Sequence, residues 1–163
     1  MSTICFTGHR SFSIEDPASL EAFRSKLIAL LNEYIENHGV DKFYAGGASG
    51  FDNFAASCVL EVKKQHPKIK LIVVLPCDRN NFSAKWSKEN KELLFNICEN
   101  ADIVNEKVGS TITKDCYKIR NRCLVDHADY CIAYYDEKDI RSGTGQTVRM
   151  ARDKVIPVIN LFE

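Results

Sequence analysis

Residues 41–76 read DKFYAGGASGFDNFAASCVLEVKKQHPKIKLIVVLP, and how they are parsed decides the fold. Lys42–Ala45 is a short β-rich run that stops at Gly46 and Gly47. Small residues follow, then a helical segment near Phe51–Gln65 with Asp52 in its first turn. Ile69–Leu75 (IKLIVVL) is apolar almost without a break, the pattern of a strand covered on both faces of a parallel sheet. Pro76 ends it. The glycines at the strand-to-helix corner admit two readings: a tight turn, or a place where a ligand comes close to the backbone.

The alternation extends in both directions. Upstream, Thr3–Thr7 (TICFT) reads as a first strand. Leu20, Phe23, Leu27, Leu30, Leu31, Tyr34 and Ile35 then recur at helical spacing, and the helix stops near His38-Gly39. Downstream, a polar loop leads to a helix marked by Trp86, Leu93, Leu94 and Ile97, and then to a short strand at Asp102–Val104. Residues 105–113 read as a loop and Lys114–His127 as a helix. Tyr130–Tyr134 is a strand, Gly145–Asp153 a last helix and Ile156–Ile159 the final strand. Strands and helices alternating on short connections make a parallel sheet wrapped by helices. The expectation is an α/β, Rossmann-like three-layer sandwich forming one domain over residues 1–163.

Composition narrows the function classes. Lys+Arg and Asp+Glu both total 22, a formal net charge of zero, which argues against a basic nucleic-acid grip over the whole surface. The N-terminus, MSTICFTGHR, lacks a basic segment followed by an apolar core, and the longest apolar run is too short to span a bilayer. A cytoplasmic protein is expected. The seven cysteines are odd in number and include no C-x-x-C pair, so they read as buried thiols in a reducing compartment. Cys77 and Cys116, beside loops, are the two candidates for reactivity. No metal or cofactor is expected.

In such a sheet, ligands bind along the carboxyl edge of the strands. Four loops there have unusual composition: TGHR (7–10), GGASGFD (46–52), the loop after Pro76, and DEKDIRSGTGQT (136–147). Two bring glycine and hydroxyl residues to a helix N-terminus, where free N–H groups and the helix dipole favour phosphate. Neither is a Walker A loop or a G-x-G-x-x-G fingerprint.

TGHR, GGASGFD, the tryptophan near the third helix, YKIRNRCLVDHADYCIAYYD and SGTGQT, in that order, resemble the YpsA-like branch of the SLOG superfamily. That group includes the single-stranded-DNA-binding processing protein DprA and LOG-type phosphoribohydrolases. R-N-x-x-x-V-D-x-A-D is the most specific element. The resemblance covers nearly the whole chain. It implies a Rossmann-like domain that binds a nucleotide or nucleotide-derived ligand, such as an ADP-ribose-type molecule, and it is compatible with a homo-oligomer.

Residue by residue, Thr7, Gly8, His9 and Arg10 sit where the first strand meets the edge. Arg10 suits a forked pair with phosphate, and His9 suits stacking, hydrogen bonding or a structural role. Gly46, Gly47, Ser49 and Gly50 offer backbone amides, and Asp52 suits ribose hydroxyls or the helix dipole. Gly143, Thr144 and Gly145 form the second corner, and Asp136 follows the fifth strand. Arg120 and Asn121 enter through the resemblance, because an Arg at the matching LOG position helps bind the nucleotide and catalyse. Asp126 and Asp129 read as backbone anchors, and Trp86 as a core or lid aromatic. LOG enzymes carry P-G-G-x-G-T-x-x-E, whose glutamate helps cleave an N-glycosidic bond. Here Gln146 and Thr147 stand in its place, and an amide supplies no general acid or base. Binding is therefore favoured over a LOG-like hydrolase, for which Asp52 and Arg120 are the catalytic candidates.

Overall fold

The computed structural model describes residues 1–106 and 115–163. Twelve elements follow one another in these residues: β1 (Ser2–Gly8), α1 (Pro17–Asn37), β2 (Val40–Ala45), α2 (Phe51–Lys63), β3 (Lys70–Val74), α3 (Arg79–Phe82), α4 (Lys88–Asn100), β4 (Ile103–Asn105), α5 (Cys116–His127), β5 (Tyr130–Tyr134), α6 (Gly143–Asp153) and β6 (Val158–Asn160). The loop expected at 105–113 and the helix start expected at Lys114 lie largely outside the described residues. The segment before Trp86, expected as a loop, holds the short helix α3, capped by the Asp78 side chain, which accepts from the Asn81 amide at 3.0 Å. Trp86 itself precedes α4.

The six strands form one sheet in the order β4-β3-β2-β1-β5-β6, and every pairing is parallel. The sequence pattern explains why both faces are covered. In β3, Leu71 and Val73 join the core with Leu27 and Leu31 of α1, Phe51 and Val59 of α2, and Leu94 and Ile97 of α4. The alternate residues Ile72 and Val74 join Leu124 and Val125 of α5 and Val148 and Ala151 of α6 on the opposite side. Period-two side-chain direction thus assigns α1, α2 and α4 to one layer and α5 and α6 to the other. This is the α/β Rossmann-like arrangement.

Local chemistry sets the helix ends. Asp16 caps α1 through the Ser19 amide, with Pro17 at the first helical position. Asp129 ties the start of β1 to the α5–β5 corner by accepting from the Thr3 amide at 2.9 Å. The far end of α6 closes with the Ile156 N–H donating to Ala151 O and the Val155 N–H to Arg152 O, a Schellman pattern. Val155 occupies the left-handed position there at φ 59. Glycine is the usual occupant, and a β-branched residue costs on the order of 1–2 kcal/mol.

Candidate nucleotide-binding cavity

After β1 the chain steps outward through β2, β3 and β4, then returns to lay β5 on the other side of β1. The direction of winding therefore reverses between β1 and β5, the place where the carboxyl edge of such a sheet opens into a crevice. A cavity of about 590 Å³ lies there. That volume is within the range that holds small-molecule ligands.

Of the residues singled out from the sequence, Thr7, Gly8, His9, Arg10, Asp52, Arg120, Asn121, Gly143 and Thr144 line this cavity. Gly46, Gly47, Ser49, Gly50, Asp136 and Gly145 do not. Their surroundings explain the difference. A Cβ on Gly46 would sit 2.8 Å from Arg120 Nη1 and 2.9 Å from Asp52 Oδ2, and one on Gly47 would meet the Leu75 side chain at 2.3 Å. Gly50 is pressed against the His9 and Arg10 carbonyls, and Gly145 against those of Asp139 and Ile140. The Asp136 amide donates to His9 Nε2 at 2.8 Å, and its carboxylate accepts from the Lys138 amide. The first glycine corner is thus packed against the protein itself.

Two guanidinium groups and one buried carboxyl dominate the cavity. Arg120 is only 5% exposed. Its Nη1 donates to Gly46 O and its Nε to Asn121 Oδ1 at 2.9 Å. The Arg10 and Arg120 guanidiniums both lie over the Phe82 and Tyr117 rings, at 5.5 to 5.9 Å from the centroids. Such stacking suits arginine, which is less strongly hydrated than lysine. Burial lowers the Arg120 pKa and the neighbouring Arg10 charge lowers it further, while Asp52 opposes both.

Asp52 is also 5% exposed, and its Oδ1 is buried without a hydrogen-bond partner. Burial pushes its carboxyl up to about 6, against the pull of Arg120, of Arg10 and of the Ala48 and Gly8 amides. The sign follows from proton linkage. The folded pKa exceeds the unfolded value of 3.8, so the folded chain binds the proton more tightly. This contribution favours folding below pH 4 and is lost as pH rises to about 6. Urea titrations of the native chain and Asp52→Asn from pH 4 to 7 should show the native chain losing on the order of 3 kcal/mol relative to the variant. A constant difference across that range would contradict a carboxyl raised by burial.

The second corner is more open. Ser142 caps α6 by accepting from the Gly145 amide at 2.9 Å. The Gly143 and Thr144 amides are first-turn donors that have no acceptor within the helix. A Cβ on Gly143 would meet nothing within 4 Å. His9 Nε2 accepts from the Asp136 amide, so the neutral ring carries its proton on Nδ1, 3.9 Å from Asp139 Oδ2.

The cavity wall also includes Ser11, Ala48, Tyr117, Leu124, Asp139, Ser142 and Gln146, which the sequence did not single out as ligand-binding. Tyr117 carried a readable signal, since it lies one helical turn before Arg120 and shares its face. Asp139 carried none; the β5–α6 loop brings it there. Cys77 and Cys116 are both buried, and burial raises the Cys77 thiol. Among the described residues, no three His, Cys, Asp or Glu side chains gather as a metal site would require. No described helix is long and apolar enough to cross a membrane.

The chain is 30% identical over 153 residues to the SPbeta prophage-derived protein YoqJ of Bacillus subtilis, covering 85% of each chain. It is 27% identical over 143 residues to a UPF0398 protein of Staphylococcus epidermidis, covering 85% of this chain and 74% of that one. Among solved structures it superposes on DNA processing protein A from Helicobacter pylori, described for its single-stranded DNA binding mode, with a TM-score of 0.63 and 25% identity. That match covers 96% of this chain and 63% of the other, so the chain spans less than two thirds of that protein. The X-ray structure of TM1055 shares the fold, with a TM-score of 0.57 at 14% identity and coverage of 97% and 72%. The profile of the YspA SLOG family matches residues 4–155, from β1 through the end of α6. With the cavity lying between those limits, the chain belongs to the YspA SLOG family.

Proposed function

We propose that the cavity binds a nucleotide or nucleotide-derived ligand of the ADP-ribose type. One observation carries this reading: two guanidinium groups, Arg10 and Arg120, share a cavity with the first-turn amides of α6 and with one buried carboxyl, Asp52. Donors and positive charge suit phosphate oxygens, and a carboxyl suits ribose hydroxyls. The phosphate belongs at the α6 corner, because Asp52 already faces the amides of the other corner. The mostly buried thiols suit a reducing compartment, which supports a cytoplasmic protein.

Thermal-shift measurements with AMP, ADP-ribose and NAD test the reading. A ligand at about a hundred times its dissociation constant should add roughly 2.7 kcal/mol. For a chain of this size that raises the melting temperature by roughly 5–10 °C. Unchanged melting with all three at millimolar concentration would end the proposal.

A second reading, hydrolysis of an N-glycosidic bond, draws support from Asp52, since a carboxyl near pKa 6 in a cavity suits a general acid or base. Incubation with nucleoside monophosphates should then release free base, and Asp52→Asn should stop it. Intact nucleotides after prolonged incubation leave binding alone. The single-stranded DNA described for the Helicobacter pylori relative makes a low-salt gel shift a useful control. The zero net charge argues for the small ligand.

A further inference from the structure

We propose that Gln146 determines specificity in this cavity as a hydrogen-bond donor of fixed polarity, so that the group seated against it is a phosphoryl or similarly anionic acceptor. The inference rests on the nucleotide reading for the ligand but on separate geometry for the polarity. Arg120 Nε, which only donates, lies 2.9 Å from one terminal atom of the Asn121 carboxamide. That atom is therefore the oxygen, Oδ1. The other end of Asn121 is then its NH₂ group, and it lies 3.1 Å from Gln146. Its partner on Gln146 must accept, so it is Oε1. With Oε1 turned to Asn121 and keeping its second lone pair on that side, the end of Gln146 left for the cavity is Nε2 with its hydrogens.

An amide side chain in isolation turns over freely and presents either end. Here the guanidinium fixes the first amide and the first amide fixes the second. Asn121 is only 6% exposed, which keeps water from competing for the middle of the chain. His9 is polarised in the same sense, with its proton on Nδ1 because the Asp136 amide occupies Nε2. Two side chains that ordinarily serve as donor or acceptor are thus both set as donors, on a wall that already carries Arg10, Arg120 and the α6 amides. A ligand group bearing only acceptor oxygens matches that polarity. A protonated amine seated against Gln146 Nε2 would meet a donor instead of an acceptor.

Calorimetric titration with AMP and with adenosine separates the phosphate contribution from that of the rest of the nucleotide. Gln146→Glu keeps the shape and still accepts from Asn121, but it turns a carboxylate oxygen to the cavity. Its AMP dissociation constant should rise about 10–100-fold, with adenosine changed by less than about threefold. Asn121→Asp offers only acceptors beyond Arg120, so it should turn the Gln146 amide over and weaken AMP in the same direction while leaving Gln146 in place. A ligand-free readout comes from side-chain amide hydrogen exchange by NMR. The Asn121 NH₂ protons should exchange slowly and those of Gln146 quickly, and Asn121→Asp should slow Gln146.

AMP binding by the native chain that is matched by Gln146→Glu would overturn the specificity role and leave the nucleotide reading standing. Equally fast exchange at Asn121 and Gln146 would overturn the fixed polarity. Failure of the native chain to bind AMP, ADP-ribose and NAD alike would overturn the nucleotide reading and the specificity role together, while slow Asn121 exchange would still uphold the polarity.

Discussion

Arg120→Ala should lower the free energy of unfolding at pH 8 by about 3–5 kcal/mol, the loss typical of removing one member of a buried charge pair. Three groups lose their partner at once. Gly46 O and Asn121 Oδ1 each lose a donor, and Asp52 loses the positive charge that most offsets its burial. The stacking over Phe82 and Tyr117 is lost as well. The loss should shrink at pH 5, because a protonated Asp52 needs no counter-charge. Paired urea denaturations at the two pH values read both the magnitude and its pH dependence. A change below about 1 kcal/mol at pH 8, or an equal loss at both values, would mean that Arg120 does not compensate Asp52. Arg120→Lys should recover only part of the loss, since an ammonium cannot reach Gly46 and Asn121 in a planar fork.

Gly50→Ala should destabilise the chain by about 3–5 kcal/mol, combining backbone strain with overpacking. Gly50 has φ 90 and ψ −129, a region that residues with a Cβ avoid. A Cβ there would lie 2.6 Å from Arg10 O, 2.7 Å from His9 O and 2.8 Å from Arg10 Cα. These are backbone atoms, so no rotamer change relieves the contact. His9 O is also the acceptor for the Phe12 and Phe51 amides, so its displacement would disturb the loop that carries Arg10 into the cavity. The melting temperature should fall by roughly 10 °C or more. Gly143→Ala is the matched control. Its Cβ would enter open space, and stability should stay within about 0.5 kcal/mol of the native value. A Gly50→Ala chain as stable as that control would show that the corner relaxes around a methyl group.

These two glycines answer the question raised by the sequence around residues 44–56. The corner at Gly46–Gly50 is tight because the chain packs on itself there, with Arg120, Asp52 and the His9–Arg10 carbonyls as the close neighbours. The corner at Gly143 is the one with room beside it. Composition could not separate the two cases, since both corners show glycine and hydroxyl residues ahead of a helix. The difference lies in what the rest of the chain places against each.

Residues 69–75 made a buried parallel strand legible from hydrophobicity alone, and the regular spacing of Leu27, Leu31 and their neighbours did the same for α1. The strand at Tyr130–Tyr134 falls where the pattern put it. Short-range patterns of this kind suffice because the burial of alternating faces is a local constraint on side-chain type. The small helix α3 escaped notice because four residues carry no periodicity, and its cap at Asp78 reads as one more polar loop residue.

What the sequence by itself determined, then, is the alternation of strand and helix, the two-sided burial of the sheet and the presence of basic and glycine residues on its carboxyl edge. The strand order, and with it the reversal between β1 and β5 that opens the cavity, was decided only by tertiary structure. So were the burial that lifts Asp52 to about 6 and the chain from Arg120 through Asn121 to Gln146. Desolvation and hydrogen-bond polarity depend on which groups surround a side chain, and here Arg120 and the Gly46 carbonyl it holds lie 74 residues apart along the chain.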